Sequence, residues 1–248
     1  MHTFTGHVAR LIVAAAVLWP AAPRSVEGQK NAAERARMAC CQDFTQAEKR
    51  KLEAGELVVR RADERQKELK LIGGTSWQLI EAPIGKVWDV LIDMKYYRRI
   101  LPQVSDVRLI EDRERKPERE PEKKPERERE RERTFFIKHG NELLSICYYV
   151  DIKINSGRKE IRFRMDPREE CTVKAGWGFY LLRPHGKDRT VLVYGIMADI
   201  GEGIILALLR DQIHEWMLKV PWMAKRLVES ERAKQHAAAA RAPRRSPR

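Results

Sequence analysis

The spacing of apolar residues changes several times along the chain, and each change marks an element. Residues 30–54 are rich in Ala, Glu, Lys and Arg without Pro or Gly, which favours helix, and Gly55 is a natural stop. "LVVRR" (57–61) suits a short strand. "GGTSWQLIEAP" reads as a strand, opened by Gly73-Gly74 and closed by Pro83. Then the period lengthens. Ile84, Val87, Trp88, Leu91 and Ile92 recur at intervals of three and four, one buried stripe on a helix whose first turn accommodates Pro83. A second short helix passes through Tyr96 and Tyr97 and stops before Pro102, and "VSDVRLIED" returns to strand.

Further on, alternation dominates. "TFFIKHG" and "NELLSICYYVDIKI" form a hairpin turning near Gly140-Asn141. In its second arm Ile146, Tyr148, Val150, Ile152 and Ile154 alternate with Ser145, Cys147, Tyr149, Asp151 and Lys153, as in a half-buried strand. Ile161, Phe163 and Met165 share a face in the next strand. Val173, Ala175, Trp177, Phe179 and Leu181 share one in the strand after that, and "TVLVYGIMADI" is the last. A long helix then carries Ile205, Leu209, Ile213, Trp216, Val220, Met223 and Leu227 as its most continuous stripe, with a kink expected at Pro221.

Short connections make neighbouring strands antiparallel, and a sheet with an apolar face must cover it. The large amphipathic element at hand is the terminal helix. The expected class is therefore α+β: a curved antiparallel sheet wrapped around a long C-terminal helix.

Charge adds two appendages to this domain. The chain has 248 residues and a formal charge of +13, with 43% apolar and 34% charged residues. The run from Glu111 to Arg133 holds ten acids and ten bases, so its net charge is zero. A phosphate-binding arm needs excess positive charge to displace counterions, so specific nucleic-acid binding is not indicated. Pro117, Pro121 and Pro125 bar this run from strand interiors, which makes it a low-complexity insert in a β-hairpin loop. The end of the chain is basic, +6 from Lys225 to Arg248. Its last stretch, 233–248, has almost no large apolar side chains and reads as a disordered tail, suited to solubility or to contact with an anionic membrane surface.

The start of the chain resembles an export signal over residues 1–28. Arg10 precedes the apolar run Leu11–Trp19, small residues and Pro follow, and cleavage after Gly28 leaves Val26 and Gly28 at the small-residue positions. The run is too short to span a bilayer. The expected location is periplasmic or secreted, or cytoplasmic if the signal is not used. Cys40, Cys41, Cys147 and Cys171 form no metal-binding spacing, and their pairing is left open.

One segment resembles a known superfamily. "IEAPIGKVWDVLIDMKYYRRILPQVSDVRLIED", with Ala82-Pro83, Val87-Trp88, Leu91, Asp93, Tyr97 and Leu101-Pro102, is similar to the opening of START-like (SRPBCC, helix-grip, Bet v 1-like) proteins. That group includes polyketide cyclase/dehydrase-type and coenzyme-Q-binding proteins. The resemblance spans 57–232, after an N-terminal helical segment at 29–56. It implies a cavity between the sheet and the C-terminal helix that holds a hydrophobic small molecule or lipid, without a cofactor. Inward candidates are Phe135, Ile137, Tyr148, Phe163, Trp177, Phe179, Trp216 and Met217, which either line such a pocket or simply fill a core. The charged insert departs from the usual short loop, at the rim where a partner would be recognised.

Residues able to do chemistry are sparse. His139, His185 and His214 are far apart in sequence. His185 sits in a turn, and His214 falls at the edge of the buried stripe beside Ile213. Ser76 and Ser145 lack a nucleophile-elbow setting, Asp93 reads as a cap, and neither a phosphate loop nor a metal cluster is visible. The expected function is ligand binding, or transport, without catalysis. The alternatives are a polyketide aromatase/cyclase-type enzyme, which need not carry a triad, and an interaction module working through the insert or the tail.

Overall fold

A computed structural model describes residues 44–114, 130–140, 145–166 and 171–241. The export signal, the N-terminal segment before Phe44, Cys40 and Cys41, the centre of the charged run and the last seven residues lie outside the described residues.

The strands are β1 (Val58–Gln66), β2 (Leu69–Ile80), β3 (Val104–Glu114), β4 (Glu130–Gly140), β5 (Ser145–Asn155), β6 (Glu160–Asp166), β7 (Ala175–His185) and β8 (Arg189–Asp199). They make one sheet in the order β1-β2-β8-β7-β6-β5-β4-β3, antiparallel throughout. All pairs but one join strands consecutive in the chain. The exception, β2 beside β8, brings the early and late strands together and leaves β1 and β3 as edges. The helices are α1 (Gln46–Glu53), α2 (Ile84–Ile92), the single turn Met94–Tyr96, α3 (Tyr97–Ile100), α4 (Ile204–Leu218) and α5 (Val220–Arg241). This is the α+β helix-grip architecture.

Four details differ from the sequence expectation. The hairpin β1–β2 is longer than "LVVRR" suggests, because the charged residues of 60–66 sit on an edge strand where solvent receives them. The ladder β3–β4 takes in Glu111–Glu114 and Arg131–Arg133, residues assigned above to the insert. Their signs alternate, so Asp112 faces Arg133 and Arg113 faces Glu132 across the strands, and Asp112 pairs with Arg131. The terminal helix is two segments that meet at Lys219. Pro221 has no N–H to give the preceding turn, so the break lies just ahead of it. The helical backbone then continues to Arg241 rather than fading at 233, as the alanine run Ala237–Ala240 favours.

Both faces of the sheet are covered. On the inner face, β4–β8 pack against α2, α3, the end of α4 and α5 through Val87, Leu91, Ile100, Leu218, Ala224 and Leu227. On the outer face, Leu52 of α1 and Phe44 cover Val58, Trp77, Leu79, Phe179, Leu181 and Val193. A capping box starts α1: the Thr45 hydroxyl accepts from the Glu48 N–H at 3.2 Å, and the Glu48 carboxylate accepts from the Thr45 N–H at 2.8 Å. A third cluster joins Ile72 and Ile200 to Leu206 and Ile213 of α4.

Candidate functional site

Successive residues of a strand point to opposite faces. That rule sets the inner wall: Ile137 on β4, Tyr148, Val150 and Ile152 on β5, Ile161, Phe163 and Met165 on β6, Tyr180 on β7, and Tyr194 and Ile196 on β8. Leu91, Tyr97, Ile100 and Leu101, from α2, α3 and the turn after it, close the space from above. The space open to the centre of a water-sized sphere is about 50 Å³, and all non-atom space in the region, its open mouth included, is about 510 Å³. The smaller figure governs what fits without movement. A single water needs roughly 10–15 Å³ on that measure, so the cavity takes a few waters. A whole lipid fits only if side chains shift.

Glycine shapes the floor. Phe163 faces Gly178 across the β6–β7 ladder, and a Cβ at Gly178 would lie 2.3 Å from the Phe163 ring. The missing side chain lets that ring lie across the sheet, where its centroid is 5.7 Å from Tyr180 and 6.1 Å from Tyr194. Tyr180 and Tyr194 are direct cross-strand partners, with centroids 4.8 Å apart.

The polar side-chain groups of the lining are four tyrosine hydroxyls, on Tyr97, Tyr148, Tyr180 and Tyr194. Burial pushes all four upward. Tyr97 rises to about 12, with Arg133 opposing the shift and Asp93 adding to it. Burial raises Tyr148 too. Tyr180 and Tyr194 rise well above the ordinary tyrosine value, first through burial and then through the fields of neighbouring tyrosines. All four of these tyrosines line the same space. At neutral pH the lining is uncharged.

One histidine backs this wall. His139 Nδ1 is 2.7 Å from the Pro102 carbonyl, and its Nε2 is 2.8 Å from the Tyr148 hydroxyl. Burial pulls its pKa down, and the Pro102 carbonyl opposes the shift.

The eight expected lining residues separate. Ile137, Tyr148 and Phe163 line the cavity. Phe135 is fully buried beside it, against Tyr97 at 5.3 Å, and also lines a second, more open hollow of about 430 Å³ with Ile92, Leu109 and Arg133. Trp177 and Phe179 point the other way: they alternate with Tyr180, and Phe179 belongs to the outer cluster under α1. Trp216 packs on the Ile72–Ile213 cluster at one end of the sheet, and Met217 packs both on that cluster and on the inner core. Among the described residues the cavity walls come from the sheet and the α2–α3 pair, whereas the resemblance implied a cavity against the C-terminal helix. Tyr97, Tyr180 and Tyr194 were missed. The alternation Gly176, Gly178, Tyr180, Leu182 along β7 carries the signal, since small residues beside large ones mark a face that another side chain crosses.

His214 is not at the stripe's edge. It is buried, and its Nε2–H donates to the Gly73 carbonyl at 2.5 Å, tying α4 to β2. His185 pairs with Glu53 at 2.9 Å on the surface. Asp93 caps the turn that follows it, accepting from the Lys95 N–H at 3.1 Å. Cys147 and Cys171 carry thiols.

An open, curved eight-stranded antiparallel sheet whose inner face is closed by a helical pair and a C-terminal helix is the START-like helix-grip fold. Solved structures similar to the chain include the Zhui aromatase/cyclase of a Streptomyces species, at 15% identity, 68% of this chain, 98% of that one and a TM-score of 0.49. A START superfamily protein of Mycobacterium smegmatis is similar at 12% identity, over 64% of this chain and 97% of that one, with a TM-score of 0.44. A STAR-related lipid transfer protein of Xanthomonas axonopodis is similar at 14% identity, over 70% and 97%, with a TM-score of 0.41. No protein-family model and no curated protein matches the chain.

Proposed function

We propose that this domain binds a hydrophobic small molecule or lipid between the inner sheet face and the α2–α3 pair, and performs no reaction on it. The observation that supports this reading is the lining itself. It is apolar throughout except for four neutral tyrosines that line one space, the composition of a site that buries an apolar body and orients it by a few polar contacts. The cavity opens further on binding, by rotation of the rings that cross it. The test is native mass spectrometry of the full chain purified without detergent, beside denaturing spectra of the same sample. A mass lost on denaturation and recovered in organic extract is the expected result. A bare protein that also takes up no added fatty acid, sterol or phenol counts against it.

Cyclase-type catalysis on a polyketide-like chain has one observation in its favour, the hydrogen-bonded Tyr148–His139 pair at the cavity wall. Such a pair can exchange a proton with a bound carbonyl compound. Incubation with a synthetic poly-β-ketone thioester, followed by the appearance of aromatic absorbance above the spontaneous rate, tests that reading.

A further inference from the structure

Resting on the binding reading, we infer that the ligand carries a hydrogen-bond donor, a hydroxyl on an otherwise apolar body, and that His139 imposes this requirement through Tyr148. The Pro102 carbonyl can only accept, so the 2.7 Å contact places a proton on His139 Nδ1. In a neutral imidazole the other nitrogen, Nε2, is then an acceptor. It lies 2.8 Å from the Tyr148 oxygen, so Tyr148 spends its one proton on His139. Toward the cavity the Tyr148 oxygen offers lone pairs alone. Burial of the ring favours the neutral state of His139 that this arrangement needs.

The two residues are diagonal neighbours across β4 and β5: Ile137 pairs with Tyr148, and His139 pairs with Ile146. Their rings stack with centroids 5.5 Å apart and 25° between planes. The orientation is therefore fixed by the ladder and by two hydrogen bonds. A ligand hydroxyl meets the Tyr148 oxygen with matched polarity. An ether or ester oxygen meets it lone pair to lone pair and leaves that acceptor, now covered by the ligand, without a partner. His139 is a positioning residue here, since it sets the direction of a hydrogen bond that it does not itself make with the ligand.

The experiment compares 4-propylphenol with its methyl ether, 4-propylanisole, by calorimetric titration of the full chain. The wild type is expected to hold the phenol at least roughly tenfold tighter. Tyr148→Phe removes the hydroxyl and keeps the ring, and it should erase the preference by weakening the phenol. His139→Leu frees the Tyr148 proton for donation, and it should erase the preference the opposite way, by strengthening the ether. A purely structural histidine would weaken both ligands together. Equal binding of the two by the wild type, or tighter binding of the ether, overturns the inference and leaves the binding reading standing. Failure to bind either, with a bare mass spectrum, overturns both. If His139→Leu does not fold, Tyr148→Phe alone decides: a preference that survives it overturns the inference.

Discussion

The two faces of β7 and β8 are equally apolar and end differently. On the outer face, Trp77, Leu79, Phe179, Leu181 and Val193 are closed over by α1. Phe44 meets Trp77 edge-on at 5.3 Å, and the Arg60 guanidinium lies 5.3 Å above the Trp77 ring. On the inner face, Phe163, Tyr180 and Tyr194 surround an open space. Each face uses a glycine to seat one ring: Gly178 gives way to Phe163, and Gly195 to Phe179. Apolar content does not separate the face that surrounds a cavity from the one that is closed over. What separates them is whether the rings carry hydroxyls and whether the covering helix reaches the floor.

The largest test of this contrast is truncation. Trp77→Ala should lower stability by about 3–5 kcal/mol, the range for a large aromatic lost from a closed core. Urea unfolding measures it, and ligand uptake by the folded protein should be unchanged. Phe163→Ala already borders free volume, so its loss should fall at or below the bottom of that range, about 3 kcal/mol, while ligand capacity rises. If the two variants lose the same stability with no change in uptake, the faces are not functionally distinct.

Adding a methyl group probes the same contrast from the other side. Gly178→Ala puts a carbon 2.2 Å from the Gly195 carbonyl oxygen and 2.3 Å from the Phe163 ring, and Gly195→Ala puts one 2.3 Å from the Phe179 ring. Each should cost about 1–3 kcal/mol through overpacking. Gly178→Ala should be the worse because backbone yields less than a ring, and of the two it alone should alter ligand affinity.

Alkaline titration distinguishes the faces by their hydroxyls. Tyr97 rises from 10.0 to about 12, and Tyr180 and Tyr194 rise well above 10.0. A folded-state pKa above the unfolded one means a contribution that is whole below pH 10 and lost as pH climbs through the folded value. Stability should therefore decline from pH 10 toward 12, with these phenols ionising only as the inner face opens. Absorbance at 295 nm followed beside circular dichroism checks that the two events coincide. Phenols that ionise near pH 10 in the native protein would show a solvated inner wall.

Much of this fold was legible in the chain, and the reason is periodic. The stripe through Val87, Trp88 and Leu91 and the alternation through Tyr148, Val150 and Ile152 each match one period of one element, and the helix-grip order follows from their sequence. The site was legible only in part. β7 is buried on both faces, so its residues read as a continuous apolar run, and alternation alone does not say which set faces the ligand. Trp177 and Phe179 drew the eye by size, while the inner set began with two glycines. Trp216 and Met217 lie off this cavity for another reason. The position of the break at Lys219, which decides where α4 lies, is a tertiary property, and Pro221 marks it only approximately.

The smallest expected effect belongs to the outer face alone. The Arg60 guanidinium, bonded to the Glu48 carboxylate at 2.9 Å, is the main cause that holds Glu48 down, and the Thr45 N–H adds to it; together they lower it from 4.5 to about 2. A depressed carboxyl contributes stability that is present above its unfolded value and lost as pH falls through the folded one. The docking of α1 should therefore loosen between pH 4.5 and 2. The pair is partly solvent-exposed, so the effect is modest. Near-ultraviolet circular dichroism reads the Trp77 environment directly, and Glu48→Gln should flatten its pH dependence in that window. Ligand uptake should not follow the same curve, because α1 contributes nothing to the described cavity wall. If uptake and the Trp77 signal titrate together, the two faces communicate through the β7–β8 ladder, and α1 is then part of what holds the inner cavity in shape.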